Sequence, residues 1–230
     1  MLRDKLKNEH YFQKLKTEEV EWLKELTDME SIISSDKTRM YYIDLSIINF
    51  TLFKISYSMG ENSNSYFEYF KDSIHHYSKV FGENSGIFAI IDYLSLAVLF
   101  ESYRKEFIDD VKILFDKYLK LTAEGKTKQD DFIDFLGVYL LQDRVVNFHS
   151  HLEYLNLMGD TADSVIEAQK FWYYAHSEAA WYNSHLRDTD SYYGYWSFDT
   201  AALCKIRGIY DERLKDLDYF PYDLLVQKDH

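Results

Sequence analysis

The stretch that decides the fold is residues 181–225, WYNSHLRDTDSYYGYWSFDTAALCKIRGIYDERLKDLDYFPYDLL. Ser197 is a favourable residue at the start of a helix, and Gly208 stands where helices commonly end in the left-handed conformation. The stretch therefore predicts a short helix, Phe198–Arg207, between a tyrosine-rich approach and a tail. Because proline fixes φ, we expect Pro221 to hold this tail in a hydrophobic groove, as an integral part of the fold.

Working outward, apolar residues recur at helical spacing through nearly every segment, while one proline and eight glycines leave few strand or turn signals. The pattern predicts an all-α fold, an irregular antiparallel bundle of about eight or nine helices. Residues 34–36 are predicted to interrupt the helical pattern and to cap the second helix. Residues 86–101 are apolar nearly all round and should lie centrally. The clearest buried stripe belongs to the second helix: Tyr41, Leu45, Ile48, Leu52, Ile55 and Met59.

The polar segment 121–131, LTAEGKTKQDD, reads as the most exposed linker. We place a soft boundary beside it, which divides the chain into an N-terminal region, 1–121, and a C-terminal region, 122–230, packed as one compact unit. Two helices or one bent helix are expected over 132–155. A long helix is predicted over 162–186, with a stripe of buried residues: Val165, Ala168, Trp172, Ala175, Ala179, Tyr182 and Leu186.

Composition and charge limit the classes of partner and the cellular location that we expect for this protein. The 230 residues carry 47% hydrophobic residues, enough for a well-buried core. A formal net charge of −13 argues against binding to nucleic acid or an anionic membrane, and favours either a basic partner or plain solubility. The single cysteine, Cys204, cannot form an internal disulfide, and neither a signal peptide nor a spanning segment is apparent. We expect a cytoplasmic protein.

Candidates for catalysis are weak. No HExxH or paired CxxC is present, and no pair of carboxylates is singled out for acid–base work. His176 and His185 are nine residues apart, which would place them on opposite sides of one helix. We therefore expect no catalytic residue, no metal and no cofactor.

The outward side of the predicted long helix is not explained by core packing. Glu178, Trp181 and His185 share that side, and charged residues continue past the helix end. A large aromatic residue there needs a neighbour, so we expect the C-terminal aromatic segment to fold back over Trp181. Contact with another protein is the alternative.

Four segments resemble the PoNi proteins, the immunity partners of polymorphic nuclease toxins. The similar segments are MLRDKLKNEHYF at 1–12, AHSEAAWYNSH at 175–185, GYWSFDTAALCKIRGI at 194–209 and LKDLDYFPYDLL at 214–225. The chain departs from the family pattern at Thr200, Leu203 and Cys204, where small or aliphatic residues are usual. The resemblance covers both ends and implies an immunity protein, not an enzyme, whose toxin is encoded in a neighbouring reading frame.

The resemblance further implies a partner, the nuclease domain of a cognate secreted toxin with DNase activity of the PoNe type. Binding would deny DNA access to the toxin's active site, without direct contact to nucleic acid or membrane. An acidic inhibitor suits this task because a DNA-cleaving domain presents a basic cleft. The competing hypothesis is an α-helical enzyme or small-molecule-binding regulator with a polar pocket near Glu178 and His185.

Local placement, not the resemblance, predicts the contact residues. After the predicted long helix the chain makes a polar crossing, residues 187–190. We expect toxin binding near this crossing, at Glu178, Asp188, Asp190 and Tyr192. The competing expectation is an acidic patch assembled from distant helices, such as Asp109, Asp110, Asp130 and Asp131.

Overall fold

The computed structural model describes residues 1–35 and 37–227, and within them every regular element is a helix. Asp36, in the predicted cap of the second helix, lies outside the described residues. Eight of the α-helices in the described ranges have ten or more residues, which confirms the predicted all-α class. The α-helices are α1 (Glu9–Met29), α2 (Thr38–Ser58), α3 (Ser63–Val80), α4 (Ile87–Leu99), α5 (Ile108–Ala123), α6 (Asp131–Gln142), α7 (Glu153–Leu157), α8 (Ala162–Ala175), α9 (Phe198–Arg207) and α10 (Tyr222–Val226).

Backbone contacts divide the chain into two compact units. Unit 1 comprises residues 1–81 and 183–194, and unit 2 comprises residues 82–182 and 195–230. Each unit is therefore built from two separate stretches of sequence. The regions 1–121 and 122–230, divided beside the polar segment, stay a prediction.

Unit 1 is built on α1, α2 and α3. The side chain of Asn8 accepts a hydrogen bond from the Tyr11 N–H at 2.9 Å and so caps the start of α1. The α2 stripe is buried as predicted from Tyr41 to Ile55. It packs against Leu26 of α1 in one apolar cluster. The return segment 183–194 completes the unit.

Unit 2 is organised around α4, which is buried on nearly every side, as predicted. It packs against α9, where Ala201 and Ala202 are fully buried and let the two helices approach closely. The bounds of α9 agree with those read from the sequence, and Gly208 ends it with φ of +69°. Ser197 precedes the helix, but its hydroxyl donates to the Tyr219 carbonyl at 3.1 Å and does not cap.

The predicted long helix over 162–186 is wrong, because α8 ends at Ala175. The ring Nδ1 of His176 lies 2.8 Å from the Trp172 carbonyl, the acceptor that the next helical N–H would need. The N–H of His176 instead donates to the Tyr173 carbonyl, and tight turns follow. The stripe fails accordingly, since Leu186 is 70% exposed.

This break brings Trp181 back onto Trp172, with ring centroids 5.6 Å apart and planes 16° from parallel. Residues nine apart on a continuous helix lie on opposite sides, so the stack requires the break. Tyr195 covers Trp181 from the C-terminal segment at 5.1 Å. The expectation that this segment folds over Trp181 is confirmed.

Of the two alternatives predicted for residues 132–155, the structure has two separate helices, the full-length α6 and the short α7. After α6 the chain runs without a helix to α7, and Val145 is 61% exposed. The polar segment 121–131 is mostly exposed, as predicted, but Asp130 near its end is only 4% exposed.

Asp130 ties three parts of unit 2 together. One carboxylate oxygen accepts the Phe132 N–H at 2.9 Å and so caps α6, while the other accepts the Ser150 hydroxyl, the His151 N–H and the His151 ring. The Tyr118 hydroxyl of α5 accepts the Asp130 N–H at 2.7 Å. Burial opposes ionisation of Asp130, but the hydrogen bonds from His151 and Phe132 outweigh it and lower its pKa.

Replacing Asp130 by Asn should destabilise the protein at pH 7, because a buried hydrogen bond to a charged group contributes about 1.5–3 kcal/mol. The lowered pKa means that the parent has this stabilisation above the ordinary Asp value of 3.8 and loses it as pH falls below that value. Thermal melts from pH 7 to 3 should therefore converge for parent and Asp130→Asn. The exposed neighbour offers the control Asp131→Asn, and equal melting temperatures at pH 7 for both variants would contradict this role.

Candidate functional site

The return segment 183–194 of unit 1 contains the predicted polar crossing, residues 187–190, which presents two carboxylates to solvent. Asp188 and Asp190 are both exposed. Asp190 accepts a hydrogen bond from Lys14 of α1 at 2.6 Å, and this pair raises the pKa of Lys14. Asp188 makes no ion pair within the described part of the chain. Its carboxylate is the more available of the two to an outside partner.

Tyr192 anchors the return segment from inside unit 1. Its side chain is 1% exposed, and its hydroxyl donates to the Asp4 carboxylate. The Tyr11 hydroxyl donates to the Tyr192 carbonyl at 3.1 Å and accepts its N–H at 3.2 Å. Ser58 donates to the next carbonyl, that of Tyr193, at 3.2 Å. The backbone of the return segment is therefore fixed against α1 and α2.

The four predicted contact residues differ in their exposure. Glu178, Asp188 and Asp190 are exposed, whereas Tyr192 is buried and has no surface to offer a partner. Glu178 belongs to unit 2 and the other three to unit 1. His185 also belongs to unit 1, where its ring meets that of Tyr192 edge-on at 6.1 Å. Neither unit alone brings Glu178 and His185 into the polar pocket of the competing hypothesis.

The competing acidic patch loses one of its four members. Asp109 and Asp131 are exposed and Asp110 is partly exposed, each at the start of a helix, where a carboxylate favours the helix dipole. Asp130 is buried and engaged with His151. It stabilises unit 2 and is not part of an acidic surface.

Unit 2 contains an open groove that the sequence reasoning missed. The groove has a volume of about 950 Å³ and lies among the start of α4, residues 127–128, α7 and the end of α8. Its lining includes Phe88, Leu157, Phe171, Tyr174 and Glu178. A signal was present, because Phe171 and Tyr174 are large aromatic residues off the buried stripe of α8.

A buried network holds the wall of the groove. Tyr154 lines the groove, and its hydroxyl donates to the carboxylate of Asp199, which is 2% exposed. The other oxygen of Asp199 accepts the Trp172 indole N–H at 3.1 Å. Burial, and then the nearby Asp199, raise the pKa of Tyr154 well above 10.0, so the phenol remains a donor at neutral pH.

His176 forms the other half of this support. Its ring packs on Phe88 at 4.9 Å and on Trp172 at 4.9 Å. Burial lowers the pKa of His176, and the nearby Asp199 opposes this shift without cancelling it. The lowered pKa favours a neutral ring at pH 7. A neutral imidazole suits these apolar contacts.

Reactive groups are scarce among the described residues. Cys204 is fully buried, and burial raises the pKa of its thiol to about 12, so it carries almost no thiolate at neutral pH. The described His, Cys, Asp and Glu side chains form no cluster suited to a metal ion. No helix in residues 1–35 and 37–227 has both the length and the apolar character needed to cross a bilayer.

Comparison with known protein families gives two matches. Residues 3–110 match the N-terminal domain of the PoNe immunity proteins (PoNi), and residues 129–224 match the C-terminal domain of the same proteins. Searches of curated proteins and of solved structures return no match. Because the two domains together cover most of the chain, it belongs to the PoNi family of PoNe immunity proteins.

Proposed function

We propose that the chain binds the nuclease domain of a cognate toxin and neutralises it by keeping DNA out of the active site. The observation that carries this proposal is the match to both PoNi domains. In this role the protein works by binding alone, in the cytoplasm of the cell that it protects, with no catalytic step of its own.

Charge supports the proposed partner. A nuclease that cleaves DNA must present positive charge to the phosphate backbone, so an acidic inhibitor is attracted to the same surface. Of the formal net charge of −13, unit 2 carries −10 and unit 1 carries −3. We propose that Glu178 in unit 2 and Asp188 and Asp190 in unit 1 contribute contacts to the toxin.

The direct test is a DNA-cleavage assay with the nuclease domain encoded in the neighbouring reading frame. The proposal predicts that cleavage stops when the chain reaches a ratio of about one to one, because blocking is stoichiometric. Full cleavage in the presence of excess folded chain would refute the proposal. Turnover of a small-molecule substrate by the isolated chain would instead support the competing hypothesis.

Charge reversal tests the proposed contacts. Asp188→Lys and Glu178→Lys should each cost about 2–5 kcal/mol of binding free energy if the partner desolvates the carboxylate. Asp190→Lys should act similarly, although it also removes the ion pair with Lys14. Calorimetry gives the affinities, after circular dichroism and melting show that each variant is folded.

Glu212→Lys is the matched control, since Glu212 is exposed and lies outside both the crossing and the groove. It should bind nearly as tightly as the parent. If the three reversals also bind like the parent, then these carboxylates are not contacts and the acidic surface lies elsewhere.

The rate of association should fall as salt is raised. Electrostatic steering acts over distances comparable to the screening length, which is about 10 Å at 0.1 M salt and about 3 Å at 1 M. The dissociation rate should change less, because it depends mainly on contacts already formed. Stopped-flow mixing of the chain with the nuclease domain at several salt concentrations measures both rates, and an association rate that ignores salt would show that the net acidity does not guide the encounter.

A further inference from the structure

The groove in unit 2 exposes large apolar side chains on one concave surface. Leu157 is 55% exposed, Phe171 54% and Tyr174 70%, and all three line the same groove. Leaving contiguous apolar surface in water is unfavourable, and such patches mark interaction sites in folded proteins. The groove therefore has the shape and chemistry to receive an apolar group.

Carboxylates outnumber lysines among the residues that line the groove. Glu153 and Glu178 line it, and within the described residues neither carboxylate takes part in an ion pair. Lys128 lies on the same lining and opposes them, while His151 is engaged with Asp130. Since unit 2 carries a formal charge of −10, the field at the groove favours a cation.

The walls of the groove are held before any partner arrives. Phe88 packs against the buried His176, and Tyr154 is fixed by its hydrogen bond to Asp199. A site that needs little ordering on binding loses less conformational entropy and therefore binds more tightly for the same contacts. The two exposed aromatic residues of the groove, Phe171 and Tyr174, stand on α8, a rigid element.

We propose that this groove receives an apolar side chain of the nuclease domain that is flanked by lysine or arginine. The inference rests on the proposed function, and it names the chemistry of the toxin segment that is bound. Phe171, Tyr174 and Leu157 would enclose the apolar side chain. Glu153 and Glu178 would pair with the flanking cations, and this pairing would account for the contact proposed for Glu178.

Aromatic truncation tests the inference. Phe171→Ala and Tyr174→Ala should each weaken binding of the nuclease domain by about tenfold or more, as expected for central aromatic residues of an interface. Tyr210→Ala is the matched control, because Tyr210 is a 55% exposed tyrosine of the same unit that does not line the groove. Titration calorimetry measures affinity, with melting temperatures to confirm folding.

A third variant tests the inference by filling the groove. Ala175→Trp places a large ring at an exposed position on the groove wall, so it should block entry without removing any parental contact. Weakened binding by this variant and by the two truncations, with Tyr210→Ala like the parent, would support the inference.

Three results specific to the groove would overturn the inference. If Phe171→Ala, Tyr174→Ala and Ala175→Trp bind the nuclease as tightly as the parent, the nuclease binds elsewhere. The proposed function would still stand if the parent inhibits the nuclease. Equal weakening by Tyr210→Ala would show a non-specific effect. If the three groove variants bind the nuclease like the parent but sediment as smaller species than the parent when free, the groove binds a second copy of this chain. If the parent itself neither binds nor inhibits the nuclease domain, both proposals fail.

Discussion

The carboxylate of Asp199 is the interaction on which unit 2 depends. A carboxylate that is 2% exposed must be paid for with hydrogen bonds, and this one accepts from the Tyr154 hydroxyl, the Trp172 indole and the Thr200 N–H. Those donors come from α7, α8 and α9. Three helices that are separate in the sequence are therefore held by a single side chain. Removing the Tyr154 hydroxyl would leave one buried oxygen of Asp199 without this donor, which costs free energy.

The position of Glu178 follows from this constraint. Because Asp199 orients the Trp172 indole, Trp181 can stack upon it only if the chain turns back after α8. His176 makes that turn by taking the Trp172 carbonyl with its own ring. After this turn, Glu178 lines the same groove as the exposed aromatic residues of α8. Packing inside unit 2 thus determines which groups remain available to a partner.

Much of the helical framework could be predicted from the sequence. The bounds of α9 followed from Ser197 and Gly208, and the burial of α4 followed from its uniform apolar character. These features are local, because caps and periodic patterns lie within a few residues of the structure that they specify. Even there the reason differed in part, since the hydroxyl of Ser197 bonds the Tyr219 carbonyl.

What could not be predicted depends on residues far apart in the sequence. Nothing near Asp130 indicates that a polar linker residue will be buried against His151, and nothing near Tyr192 indicates its bond to Asp4. The break after Ala175 has the same origin, because no glycine or proline marks it. The candidate site was the feature least predictable from the sequence. Its predicted residues fall in different units, and the groove is formed by several elements.

The central claim is that this PoNi protein keeps DNA from the nuclease, and competition for the nuclease tests it most directly. A nuclease domain inactivated at its active site would be bound to fluorescent DNA, and the chain titrated in while anisotropy is followed. The account predicts that DNA is released as the protein complex forms, with an apparent affinity for the chain that weakens as DNA concentration rises. A stable assembly of nuclease, DNA and this chain together would contradict it.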